Sequence, residues 1–445
     1  MKTSIFFLFC LSTCVLAAAE QKEPAPVVLD IAKAESIALR YAPKIGAAYF
    51  KSEASKQQII EARSALFPQI TGIVSLAGAG TDNSADVARI GASGGLNNPS
   101  VRNRESEGVM VSQLITDFGR TSNLISVARF ESLSQQEKTG LVRAQVIQMV
   151  DATYFRILGA HALLQVANET VSARQLVVDQ VSELTKAKLK SDLDLSFAKV
   201  DLANARLLVL QAQNAVGNAE ADLSAAFGYH ELHHFVLVEE SQYLPEKTDI
   251  EPLILQALKY RPELVALRDE YQGAVKFSAA EREAHYPVIS AIGTIGYTPS
   301  GAASMKGDYS AGAINVELPI FTGGRLTARA REAELNAKAV NKDLEDWEDE
   351  VVKEVNEAWL DALTAFDKIQ VTKDLVANAQ QALELAQSRY KLGLNSIIEL
   401  SQAQLNATQA EIGYASAKYE YQVDRVKLEF DTGALKYRTP IPQFH

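Results

Sequence analysis

Cysteine is almost missing from this 445-residue chain: Cys10 and Cys14 are the two it has, and both lie in the first twenty residues. If that segment is cleaved, the mature chain carries no thiol and no disulfide. Long apolar runs are missing too. Beyond the N-terminus none reaches the 18 or so residues of a spanning helix, so an exported form of the chain either stays soluble or crosses a membrane as β-strands. Positive charge is in deficit, with 44 Lys and Arg against 55 Asp and Glu and a formal charge of −11, which argues against nucleic acid as a partner. There is no glycine-rich phosphate loop ahead of a helix, so nothing supports NTP hydrolysis. Proline is absent between Pro99 and Pro245 and again between Pro319 and Pro440, and no glycine falls between Arg325 and Leu392. Such stretches, rich in Ala, Leu, Glu, Gln and Lys, are helical territory.

The N-terminus has the three-part layout of a secretory signal: Lys2, an apolar stretch from Ile5 to Leu16, and Ala17-Ala18-Ala19 as a small-residue cleavage site. Residues 1–19 are expected to be removed, leaving Glu20 first. A lipid anchor on Cys14, after Leu11-Ser12-Thr13, is the alternative, and Thr13 is a poor residue to precede it.

What the chain does have, it has twice. Ala38 to Pro43 reads ALRYAP and Ala257 to Pro262 reads ALKYRP, 219 residues apart (262 − 43), and the same spacing separates Phe67-Pro68 from Tyr286-Pro287. Asp117-Phe118-Gly119-Arg120 answers Thr322-Gly323-Gly324-Arg325 at 205 (325 − 120). Further on, Lys188-Leu189 and Leu202 match Lys391-Leu392 and Leu405 at 203 (391 − 188). A period this long marks a duplicated half-protein rather than a solenoid. The division is residues 20–228 and 251–432 as two repeats, 229–250 as their junction and 433–445 as a tail.

Each half predicts two strands followed by two long helices. The helices are expected over about 119–189 and 193–227, then 324–392 and 396–430. The third permits about 68 residues, about 100 Å at 1.5 Å per residue. Along it Leu344, Trp347, Val351, Val355, Ala358, Ala362, Phe366 and Ile369 follow steps of three and four, an apolar stripe that needs a partner. Gly140 and Gly159 interrupt its first-half counterpart and could bend it. Strands are expected at about 69–79, 108–116, 288–298 and 311–320; in the last, Ile314, Val316, Leu318 and Ile320 alternate with Asn315 and Glu317. Loops are expected from Thr81 to Arg104 and from Pro299 to Asp308. The strand lengths suit a membrane barrel, yet four strands cannot close one, for which about eight is the minimum. Several chains must then contribute.

An export signal, duplicated halves, two hairpins of membrane-strand length and helices of about 100 Å together resemble the TolC-like outer membrane factor family, from Leu29 to about Leu435. The residues that carry the resemblance are Phe67-Pro68 and Tyr286-Pro287, the Asp117–Arg120 and Thr322–Arg325 turns, Arg389-Tyr390-Lys391-Leu392-Gly393-Leu394, and Ala203-Asn204-Ala205-Arg206. The resemblance implies a mainly α fold with membrane β: long antiparallel helical hairpins forming an α-barrel tunnel, plus four transmembrane strands per chain in a homotrimeric twelve-stranded barrel. It implies a passive channel in the outer membrane, in contact with its lipid and extending into the periplasm. A periplasmic adaptor (membrane fusion protein) and an inner-membrane RND, ABC or MFS transporter would open it for efflux or type I secretion. No cofactor and no enzymatic activity are implied.

The resemblance also assigns residues. Glu399, Gln402 and Tyr390 ring the periplasmic mouth, and the matching first-half position is Ser196, with Asp194 and Asp192 nearby. Lys190 stands where a glycine is usual. Lys190, Ser191, Gly393 and Leu394 form the hairpin tips that meet the adaptor. Gly119, Arg120, Gly323, Gly324 and Arg325 make the strand-to-helix turns.

Other motifs weigh less. His230-Glu231-Leu232-His233-His234 satisfies HExxH, but it follows a helix stop at Phe227-Gly228-Tyr229 and precedes the β-like Phe235–Val238, so coincidence outweighs a zinc hydrolase. Glu317 is either a lumenal carboxylate or part of a solvated strand face. Glu345-Asp346 and Glu348-Asp349-Glu350 read as a solvated helix face. The competing reading from another class is an exported structural coiled coil without channel activity.

Overall fold

The computed structural model describes residues 27–78, 103–239, 249–300 and 307–437. Two short helices, α1 (Ile31–Tyr41) and α2 (Pro43–Ser64), lead to strands β2 (Gln69–Gly78) and β3 (Asn103–Thr116). A hairpin of α3 (Arg120–Lys186) and α4 (Asp192–Ala226) follows. The order then repeats as α5 (Ile250–Tyr260), α6 (Pro262–Glu283), β5 (Val288–Ser300), β6 (Gly307–Glu317), α7 (Arg325–Lys391) and α8 (Ile397–Asp431). A parallel pair, β1 (Val27–Leu29) and β4 (Phe235–Leu237), ties the start of the first half to its end. The hydroxyl of fully buried Tyr154 of α3 lies within hydrogen-bond distance of a carbonyl at the C-terminal end of each strand, Leu29 (3.1 Å) and, one residue past β4, Val238 (2.6 Å).

α3 and α7 are each 67 residues long, about 100 Å. α3 runs unbroken through Gly140 and Gly159; at Gly159 a Cβ would come within 3.2 Å of the Tyr419 side chain on α8, so the glycine lets two helices approach. On α7, Val351, Val355 and Ala358 are fully buried. The first two pack with Ala257 and Leu264 of α5 and α6. Trp347, on the same expected stripe, is 46% exposed in the single chain. The largest core gathers α1, α3, α4 and α8 around Tyr154, Phe227, Leu223 and Ile147.

β2, β3, β5 and β6 form one antiparallel sheet in the order β2-β3-β5-β6. Strand ends differ from the pattern-based expectation for a common reason: a strand extends as far as its partner does. β3 starts at Asn103, not 108, because Gly78 to Ile73 of β2 pair with Asn103 to Gly108. Its charges at Glu105 and Glu107 hide the alternation. β5 reaches Ser300 and β6 starts at Gly307, so Pro299, Ser300, Gly307 and Asp308 belong to strands rather than to a loop. β6 stops at Glu317, opposite Val288, where β5 begins, and Leu318 to Ile320 have no strand beside them in the protomer. The expected loop from Thr81 lies outside the described residues up to residue 102, and Asn103 and Arg104 are in β3.

Candidate functional site

Two regions concentrate the features that a surface helix pair would not need: the faces of the sheet and the hairpin tips. Residues directly opposite in a ladder share a face, so register sorts the side chains. Ile70, Val74, Val109, Val111, Ile295, Ile314 and Val316 fall on one face, with exposures from 36% to 77%. Thr71, Ser112, Ser290, Thr294, Asn315 and Glu317 fall on the other, which also carries Ile73, Met110 and Ile292. The apolar face ends at a row holding Val74, Glu107, Tyr297 and Asp308. From Ile289 to Tyr297 it runs for nine residues, within the roughly 9–11 residues of a tilted transmembrane strand.

Below the sheet, each strand turns into its long helix through two left-handed residues. Phe118 and Gly119 have φ of 57° and 110°, and Gly323 and Gly324 have 61° and 85°. Arg120 and Arg325 are the first helical residues. In the first half Asp117 caps the turn, its carboxylate accepting from the Thr121 amide (2.7 Å) and hydroxyl (2.5 Å). Phe67, Phe118, Tyr286 and Phe321 surround this level, all more than half exposed.

The hairpin tips correct the register read from sequence. α4 and α8 are both 35 residues long, and Ser191 and Ser396 are their N-caps, 205 apart (396 − 191) rather than 203. Ser191 Oγ accepts from the Asp194 amide (3.2 Å) and Ser396 Oγ from the Glu399 amide (3.3 Å). The counterpart of Glu399 is therefore Asp194, not Ser196, and the counterpart of Gly393 is Lys188, not Lys190. Lys188 and Gly393 both have positive φ, and the amides that follow them, Leu189 and Leu394, reach back to the Leu184 and Arg389 carbonyls at 2.8 and 2.9 Å. The repeated Lys-Leu dipeptides suggested the shorter spacing. Backbone geometry overrides them, because helix stop and N-cap fix where each tip turns. Ser196 lies further along α4 and donates to the Asp192 carbonyl (2.9 Å).

At the tips the two hairpins meet. The Lys190 ammonium sits 4.2 Å from the Tyr390 ring centroid. Tyr390 is buried among Val178, Val181, Ala198, Leu202, Ile397 and Leu400, and its hydroxyl has no hydrogen-bond partner among the described residues. Burial raises the Tyr390 pKa, and the Asp194 charge raises it further. Glu399 and Gln402 are exposed, and Gln402 donates to Asn406 on its own helix (2.9 Å). Gly393 and Leu394 are exposed at the turn. Deeper in, Ser401 of α8 donates to Asp201 of α4 (2.5 Å), beside buried Arg174, whose pKa burial lowers and Asp201 partly restores. Sequence carried no signal for this link, since its partners lie 200 residues apart.

The HExxH segment is not helical: it follows the end of α4, so His230 and His234 do not share a helix face. His234 instead meets the buried Glu220 carboxylate at 2.8 Å. No group of three or more His, Cys, Asp or Glu able to hold a metal occurs among the described residues.

Comparison with known proteins gives the following. The family model described as Outer membrane efflux protein matches residues 35–229 and 253–434. The chain is 20% identical over 404 residues to Outer membrane protein TolC of Escherichia coli (strain K12), covering 86% of this chain and 78% of that protein. It is 26% identical over 342 residues to Cation efflux system protein CusC of Escherichia coli O157:H7, covering 76% and 74%. A crystal structure of CusC superposes with a TM-score of 0.78 at 22% identity, over 93% of this chain and 95% of that one.

Proposed function

The chain belongs to the outer membrane efflux protein family, and from that premise we propose that it is a passive export conduit assembled from three copies. It is an outer membrane protein that extends into the periplasm. The three copies close one twelve-stranded barrel in the lipid, continued by a helical tunnel toward the inner membrane. A periplasmic adaptor docks on the tips around Lys188, Lys190, Ser191, Gly393 and Leu394, and an inner-membrane transporter supplies the energy. Residues 1–19 act as the export signal, and 20–228 and 251–432 as the two repeats. Asp194 and Glu399 line the mouth, and Tyr390, buried between the two hairpins, packs the tips together.

One observation carries this reading: a four-stranded sheet whose strands have the length of tilted membrane strands exposes an apolar face and leaves β2 and β6 as open edges. Each unsatisfied backbone group in hydrocarbon costs several kcal/mol. Further copies of the chain remove that cost by closing the barrel. An exported structural coiled coil leaves the apolar strand face without a purpose.

The test is fractionation. The protein should stay with outer membranes through a carbonate wash, leave only with detergent, and run as a heat-sensitive trimer in SDS. Recovery as a soluble periplasmic protein would contradict the proposal.

A further inference from the structure

From the internal duplication we infer the register in which β6 of one copy pairs with β2 of the next, with Val316 opposite Val74 and Glu317 opposite Ile73; the inference rests on the barrel reading above. The strands of the two halves correspond, β2 to β5 at a spacing of 219 (288 − 69) and β3 to β6 at 205 (324 − 119 across the following turn). These spacings predict ladder pairs that the structure contains. Gln69 opposite Ser112 transposes to Val288 opposite Glu317, and Gly78 opposite Asn103 to Tyr297 opposite Asp308, and both are present.

One junction between hairpins is also present within the chain, β3 against β5, with Glu107 opposite Tyr297 and Leu114 opposite Ser290. Closing the ring requires a second kind of junction, β6 against β2 of the neighbouring copy. Transposed by the same spacings, Val111 opposite Gly293 becomes Val316 opposite Val74. Ser112 opposite Ile292 becomes Glu317 opposite Ile73, and Val109 opposite Ile295 becomes Ile314 opposite Leu76. Beyond the irregularity near Leu114, Thr116 opposite Ile289 becomes Phe321 opposite Ile70.

Three independent features agree. Parity is kept: Ile314, Val316, Val74 and Leu76 meet on the apolar face, whereas a slip of one residue would place Glu317 beside them. Those four side chains are 59% to 77% exposed in the single chain, so the sites are free. The junction also explains why β6 stops early. β3 continues to Thr116 because β5 lies beside it, while Leu318 to Phe321, at 52% to 90% exposure for Leu318, Ile320 and Phe321, occupy the equivalent stretch with no strand beside them. The neighbouring β2 supplies it.

Disulfide trapping in outer membranes tests the register in the full-length chain, whose native cysteines are confined to positions 10 and 14. β2 and β6 are separated by two strands within a protomer, about 14 Å at about 4.8 Å per strand, so a bond between them can form only between copies. Val74→Cys with Val316→Cys, and Ile73→Cys with Glu317→Cys, should give covalent trimers on oxidation. One of two successive pairs has the closer Cα separation of about 4.5 Å. Pairs displaced by two residues, Val74→Cys with Ile314→Cys and Ile73→Cys with Asn315→Cys, lie about 7–8 Å apart and should crosslink at least tenfold less. Preferential crosslinking of the displaced pairs would overturn the register and leave the barrel standing. If neither set crosslinked in protein shown to be in the outer membrane, β6 and β2 would not be neighbours, and the barrel reading itself would fail.

Discussion

Lys188 and Gly393 adopt the same left-handed backbone at equivalent points of the two hairpins, with φ of 62° and 76°. Glycine takes that conformation freely, and an L side chain is strained by about 1–2 kcal/mol. Lys188→Gly should therefore stabilise the first hairpin by about 1 kcal/mol, read as a higher midpoint in denaturant or heat. Gly393→Lys should cost a similar amount. Equal stability of all three proteins would show that neither tip depends on this conformation.

Asp431 gives a pH dependence. It is 5% exposed, one carboxylate oxygen lacks a partner among the described residues, and burial raises its pKa to about 6, opposed by Arg261 and reinforced by Glu354. Lys427 and Glu263 also face it. A carboxyl raised in the folded state binds its proton more tightly there than when unfolded. Its favourable contribution is then complete below the unfolded pKa near 3.8 and is lost as pH rises through about 6. Asp431→Asn should stabilise the protein above pH 7, by an order of 2–3 kcal/mol, and the gain should fade toward pH 4. Melting curves across that range check both sign and window.

In the proposed trimer, the corrected tip register doubles the acids at the mouth. With Asp194 and Glu399 in equivalent N-terminal turns, three copies present six carboxylates, and a narrow aqueous ring of one sign favours cations. Glu399→Gln alone should lower the cation-to-anion permeability ratio and leave a remnant. Asp194→Asn with Glu399→Gln should abolish the preference, and Gln402→Asp should increase it. Reversal potentials in a salt gradient measure each. A double variant that kept the full preference would place the constriction elsewhere.

The Ser401–Asp201 hydrogen bond joins the two hairpins beside buried Arg174. A hydrogen bond to a charged group contributes about 1.5–3 kcal/mol. Asp201→Asn should weaken the link and leave Arg174 without its counter-charge, lowering thermal stability more than Ser401→Ala does. Equal losses would mean that the Arg174 charge is compensated by other groups.

Much of this architecture was legible because its causes are local. A proline-free stretch marks α3 and a proline- and glycine-free one marks α7, the three-and-four stepping from Leu344 to Ile369 marks the stripe that buries Val351 and Val355, and Gly323-Gly324 announces a turn only glycine makes freely. What escaped depends on partners distant in the chain. Nothing in Val27–Leu29 reveals a strand until Phe235–Leu237 lies beside it. Asn103 to Glu107 joins β3 because β2 is there to pair with, despite three charged residues. At the tips the repeated Lys-Leu dipeptides misled, since a lysine holds the position that the second half gives to glycine.

Whether copies of this chain form an ion-conducting pore is read out by adding the detergent-purified oligomer to a planar lipid bilayer. Discrete conductance steps are expected that are cation-selective and lose that selectivity in the Asp194→Asn, Glu399→Gln variant. Properly folded oligomer that inserts yet carries no current at any voltage or pH would contradict it.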